Sequence, residues 1–121
     1  MGKKANADKY LDEIIENCKD KDKMCRKAAY LRADVTFKNK EWNKAKEFYE
    51  LALNQFPDSI DAAWGQYQIG NILRHKKDYR SAMKAYNVVV ENFPRSYWAE
   101  QALWKRDDAI WRKEYEGVLT P

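Results

Sequence analysis

Apolar residues fall on a single helical stripe twice in the middle of the chain. Ala45, Phe48, Tyr49, Ala52, Leu53 and Phe56 are spaced i, i+3, i+4, i+7, i+8, i+11, the pattern of an amphipathic helix with one buried side. Ala82, Ala85, Tyr86, Val89, Val90 and Phe93 repeat it. Pro57 and Pro94 close both stripes, because the residue before a proline is pushed out of the α region. Asp58-Ser59 and Arg95-Ser96 then offer turn and N-cap chemistry for a following helix. Val88 to Val90 have strand propensity, but the surrounding stripe decides for helix. The pattern predicts six helices, over 6–18, 25–38, 41–55, 60–76, 79–92 and 96–115. They form antiparallel hairpins with short turns at Asn39-Lys40-Glu41 and Lys77-Asp78. Residues 1–5 are expected as an unstructured start and 116–121 as a tail.

The two stripes are parts of a repeat. Phe56-Pro57-Asp58-Ser59 returns as Phe93-Pro94-Arg95-Ser96, an offset of 37 residues. The same offset relates Trp42 to Tyr79, Ala45 to Ala82, Tyr49 to Tyr86 and Leu53 to Val90. It also links Tyr30, Tyr67 and Trp104, and Lys38, His75 and Arg112. Self-similarity at such a period is the signature of a stacked helical array. Small Ala33 and Gly70 let the helices of a hairpin approach. Ala45 and Ala82 do the same from the opposite helix, and Tyr49 and Tyr86 fill the space beside them.

Gly70, Ala82, Tyr86 and Pro94, and in the preceding unit Ala33, Ala45, Tyr49 and Pro57, resemble the tetratricopeptide repeat in residue type and spacing. The resemblance spans residues 26–94, with a partial third unit to 115. It implies an all-α fold, a right-handed α–α superhelix. The expected organisation is a single domain over 6–115: a capping helix and turn (6–24), repeat 1 (25–59), repeat 2 (60–95) and a C-terminal capping helix (96–115). Arg106-Asp107 stand where the family has an apolar and small pair, so the last helix is expected to turn a polar back outward, as solenoid ends require. The run Tyr79-Arg80-Ser81-Ala82 through Phe93-Pro94-Arg95-Ser96 looks like the subfamily of bacterial cell-envelope proteins that includes the Tol-Pal accessory protein and outer-membrane assembly lipoproteins.

The resemblance also implies a concave groove lined by the first helix of each unit. Its family positions fall on Lys27, Tyr30, Asp34, Phe37 and Lys38, on Trp64, Tyr67, Asn71, Arg74 and His75, and on Gln101, Trp104, Asp108, Trp111 and Arg112. Three ladders result: aromatic (Tyr30, Tyr67, Trp104), polar (Asp34, Asn71, Asp108) and basic (Lys38, Arg74 with His75, Arg112). Rigid aromatics with a polar tip are common recognition anchors, and an amide such as Asn71 both donates and accepts. The alternative is that the aromatics only pack between repeats and the basic residues only complement helix dipoles. The family's carboxylate clamp needs lysines where Tyr30 and Tyr67 stand, and that reading is set aside.

Composition narrows the function. The chain has 121 residues with 45% hydrophobic and 35% charged residues, but only four glycines and three prolines, too few turn residues for a many-stranded fold. One histidine and two cysteines leave no material for a Cys/His nucleophilic site, and no metal site or cofactor is expected. Asp107-Asp108 and Asp12-Glu13 are adjacent and do not face each other on a helix, so no acid/base dyad is expected and the protein is read as a non-enzyme. A net charge of +4 is too even for a nucleic-acid footprint. No apolar run approaches membrane-spanning length. Cys18 and Cys25 flank a charged turn. They stand either as a disulfide, suited to an oxidising periplasm, or as two free thiols. The N-terminus shows no apolar leader segment: the expectation is the bacterial envelope if a leader has been removed, and the cytoplasm otherwise. The expected function is a protein-interaction scaffold holding a partner peptide at Tyr30, Asp34, Lys38, Trp64, Tyr67, Asn71, Arg74, Trp104, Asp108 and Trp111. The alternative is self-association into a homo-oligomer or a larger assembly, with glycan or single-stranded nucleic-acid stacking a weaker third.

Overall fold

The structure is a computed structural model that describes residues 3–18, 23–58 and 60–119. It is all-α, with α1 (Lys3–Glu16), α2 (Lys23–Lys38), α3 (Trp42–Gln55), α4 (Ile60–His75), α5 (Tyr79–Asn92) and α6 (Tyr97–Leu119). No strand occurs among the described residues. The Val88–Val90 run lies inside α5, where the amphipathic stripe outweighs local propensity.

Two boundaries differ from expectation by more than two residues. Helix α1 begins at Lys3 rather than residue 6, because Lys, Lys and Ala are good helix formers and nothing precedes Asn6 to stop them. Helix α6 continues to Leu119, so residues 116–119 are helix and not tail; a lone Gly117 lowers helix propensity without ending a helix. Residues 1–2, 19–22, 59 and 120–121, including most of the charged turn after Cys18, lie outside the described residues.

The hairpin turns repeat to the level of backbone torsion. Lys40 and Lys77, 37 residues apart, take φ of 62° and 61°. Around each, the last turn closes in a Schellman motif: Glu41 N–H to Thr36 O (3.0 Å) with Lys40 N–H to Phe37 O (2.9 Å), and Asp78 N–H to Leu73 O (2.9 Å) with Lys77 N–H to Arg74 O (3.0 Å). The Asp78 carboxylate caps α5 by accepting from Ser81 N–H, and the Ser96 hydroxyl accepts from Ala99 N–H at the start of α6.

The chain divides into two compact units, Met1–Gly65 and Gln66–Pro121. In the first, the small residues Ala28, Ala29, Ala33, Ala45, Ala52 and Ala62 are buried, and so is the whole of Tyr49. Helix α1 is fixed to α2 by the Cys18–Cys25 disulfide, Cα–Cα 5.9 Å, and by the Arg32–Asp12 ion pair at 3.1 Å. The Arg32 guanidinium also covers the Phe48 ring of α3 at 4.0 Å. In the second unit the buried small residues are Ala82, Ala85, Ala99, Ala102 and Ala109, and the large fully buried side chains are Tyr86, Ile72 and Val89. Arg106 does not face outward. It is half-buried and donates from Nη1 to Asn87 Oδ1 on α5 at 3.0 Å, so only Asp107 supplies the polar back that the sequence assigned to both. The half-buried charge is met by the asparagine oxygen and by Asp107 Oδ1, 3.5 Å from its Nε.

The candidate partner-binding face

Exposure separates the residues that the sequence placed in one groove. Tyr30 is 3% exposed, and its hydroxyl donates to the Phe56 carbonyl at 3.2 Å. Tyr67 is 7% exposed and stacks on Trp98 with ring centroids 5.2 Å apart. Both are packing residues, so two rungs of the aromatic ladder are not surface. The third, Trp104, is 73% exposed. Each tyrosine is enclosed by a neighbouring helix: an alanine side chain at Gly65 would meet Tyr30 Cε1 at 2.8 Å.

The polar ladder does structural work that repeats. Asp34 accepts hydrogen bonds from the Tyr49 hydroxyl and from Trp64 Nε1–H at 2.9 Å. Asn71, 37 residues on, accepts from the Tyr86 hydroxyl at 2.5 Å and donates to Gln68 Oε1 at 2.8 Å. In both units a tyrosine of the second helix is tied by its hydroxyl to an Asp or Asn of the first. Trp64 is half-buried, its indole N–H engaged by Asp34.

Burial pushes the Asp34 carboxyl above its ordinary value of 3.8. The Tyr49 and Trp64 hydrogen bonds oppose that rise, and the Asp61 charge adds to it. A carboxyl with a raised folded pKa favours folding while protonated, and that contribution is lost as pH rises through the folded value. Asp34→Asn keeps an acceptor for both donors, as Asn71 does, and removes the titration. The variant's unfolding midpoint in urea is expected to gain on the wild type between about pH 3 and about pH 7. A difference that stays constant over that range contradicts this account of the carboxyl.

The third polar rung differs. Asp108 has no tyrosine donor and instead receives Arg74 Nε and Nη2 at 2.9 and 2.7 Å and Arg112 Nε at 3.0 Å. Burial works against its ionisation, but the hydrogen bonds and charges of Arg74 and Arg112 outweigh it and hold the carboxyl below its usual range. Trp104 lies one turn before Asp108 and Trp111 one turn after it, the latter 47% exposed and tilted against Tyr115 at 5.8 Å. Residues 66–121 bring together Arg74, Asp108 and Arg112, with Trp104 and Trp111 one turn to either side of Asp108 on α6, while Asn71 is engaged with Tyr86 and Gln68. Lys38 is exposed at the end of α2 in the first unit.

Sequence reasoning missed Tyr97 and Tyr115, both largely exposed on α6. Their spacing from Trp104 and Trp111 puts all four on one helical side, a signal available from the i, i+7 and i+11 pattern. Among the described residues no three His, Cys, Asp or Glu side chains gather as a metal site. No helix among them is long and apolar enough to cross a membrane. The family model described as tetratricopeptide repeat matches residues 25–95. No curated protein matches the chain.

Proposed function

The chain belongs to the tetratricopeptide-repeat family, whose repeats generally mediate protein–protein interaction, and from that premise we propose that it is a non-catalytic module that binds a segment of a partner protein on the α4–α6 face of residues 66–121. The observation that carries the reading is the pair of exposed indoles, Trp104 and Trp111, set one turn to either side of Asp108. An exposed tryptophan offers a large apolar area and an N–H donor at little cost in side-chain entropy. The Arg74–Asp108 ion pair ties α6 to α4 and the Arg112–Asp108 pair braces the same carboxylate within α6, so the platform exists before the partner arrives. The partner segment supplies apolar side chains to cover the indoles and carbonyls to meet their N–H groups. Tyr30 and Tyr67 support the fold and do not touch the partner. The Cys18–Cys25 disulfide favours an oxidising compartment, in keeping with the bacterial envelope.

Peptides selected from a random display library against the full chain test the reading. Trp104→Ala is expected to weaken the selected peptide by about tenfold or more, the loss typical of an anchor residue. Lys44→Ala, at an exposed position in the first unit, should leave the affinity unchanged. Equal affinities for wild type, Trp104→Ala and Trp111→Ala would remove this face from the account.

A further inference from the structure

The first unit carries an open apolar cleft between α1 and α2, of about 460 Å³. Tyr10, Leu11 and Ile14 of α1 line one wall and Met24, Ala28 and Leu31 of α2 the other, with Lys23 and Lys27 also lining it. Tyr10, Met24 and Leu31 are each at least half exposed. Apolar side chains gathered in a groove with cations alongside mark a docking site. The disulfide and the Arg32–Asp12 pair fix its two walls, so little ordering is required on binding.

Helix α6 carries the complementary chemistry. Trp104 and Trp111 are exposed on its outer side. Glu100, Asp107 and Glu114, also exposed, share that side at spacings of three, four and seven residues. Of the half-buried cations, Arg112 pairs with Asp108 and Arg106 with Asn87 and, at 3.5 Å, with Asp107, which leaves Glu100 and Glu114 as the strip's other carboxylates, and exposed Lys113 lies on the opposite side of the helix. The outer strip is therefore apolar and acidic, where the cleft is apolar and basic. We propose that the cleft receives α6 of a second copy of this chain, its indoles against Met24 and Leu31 and its carboxylates toward Lys23 and Lys27. The two surfaces are different, so the contact is heterologous, and an open assembly of any length keeps one free cleft at one end and one free α6 at the other. Association covers the indoles that the partner segment uses, so self-association and partner binding compete. The inference shares Trp104 with the partner-binding reading, and the cleft variant below separates the two.

Sedimentation velocity of the full chain over a wide concentration range provides the test. The wild type is expected to sediment faster with concentration and to pass beyond a dimer, with weakening at high salt. Leu31→Glu, which blocks the cleft, and Trp104→Ala, which strips α6, should each lower the association constant at least tenfold. Mixed one to one, they should restore a complex that stops at two chains, because one supplies the only intact cleft and the other the only intact α6. Lys27→Glu, at the exposed rim, serves if Leu31→Glu fails to match the wild-type helical signal and melting. Leu31→Glu should bind the selected peptide at least as tightly as the wild type, so loss of self-association is read apart from loss of partner binding. A wild type that stays monomeric, variants that associate like it, or a mixture that restores nothing would each overturn the proposal.

Discussion

Tyr86→Ala is expected to lower the unfolding free energy by about 4 kcal/mol, the range of buried aromatic truncations. The side chain is fully buried. Its ring lies against Gly70 and within 5.9 Å of the Tyr67 ring centroid, and its hydroxyl donates to Asn71. Burial pushes the phenol well above its ordinary value, outweighing the opposing charge of Arg74, so the hydroxyl stays a donor at any working pH. Truncation leaves a cavity beside Gly70, which has no side chain to fill it. Tyr86→Phe keeps the ring and should cost only about 1 kcal/mol, the worth of the hydrogen bond. Urea unfolding checks both: the midpoint should fall steeply for alanine and slightly for phenylalanine. Equal losses would mean that the hydroxyl, and not the ring, fills the interface.

Gly70→Ala is expected to destabilise by about 2 kcal/mol, although alanine is the better helix former. A methyl group at this position would stand 2.5 Å from Tyr86 Cε1, 2.6 Å from Cδ1 and 3.0 Å from Cζ. The obstacle is a ring pinned at its hydroxyl, not the end of a flexible chain, so the helices must separate. The sign should reverse when the ring is gone. In a Tyr86→Ala background Gly70→Ala should stabilise by up to about 1 kcal/mol, from helix propensity alone. A double-mutant cycle reads this coupling directly. Additive losses would show that Gly70 is not there to admit the ring. Gly65→Ala should cost less, because only one Tyr30 atom lies closer than 3.0 Å.

These two positions show what the sequence made legible and what it did not. The small-against-large pairing of Gly70 with Tyr86 could be read in advance, because periodicity fixes which residues share a helical side and the offset of 37 fixes how hairpins correspond. The repeat even anticipates the matched turns at Lys40 and Lys77. Exposure was less legible. Periodicity tells which side Tyr30 and Tyr67 occupy, but the groups that enclose them, Phe56 with Gly65 and Trp98 with Tyr86, come from later helices. Asp34, Asn71 and Asp108 formed one polar ladder in the sequence, yet two answer a tyrosine 15 residues away and the third answers two arginines. Arg106 gave no hint of turning inward, because Asn87 lies 19 residues before it. The start of α1 and the end of α6 are not legible for a simpler reason: propensity changes little there and no cap marks the boundary.

The tryptophan indole N–H signals of a ¹⁵N-labelled full chain, followed while the selected peptide is added, test the partner-binding face most directly. Five tryptophans report from separate places. The account predicts that the Trp104 and Trp111 signals move with the affinity of the peptide, while those of Trp42 and of Trp64, whose N–H is committed to Asp34, stay in place. Movement at Trp42 or Trp64 with Trp104 and Trp111 unchanged would contradict it.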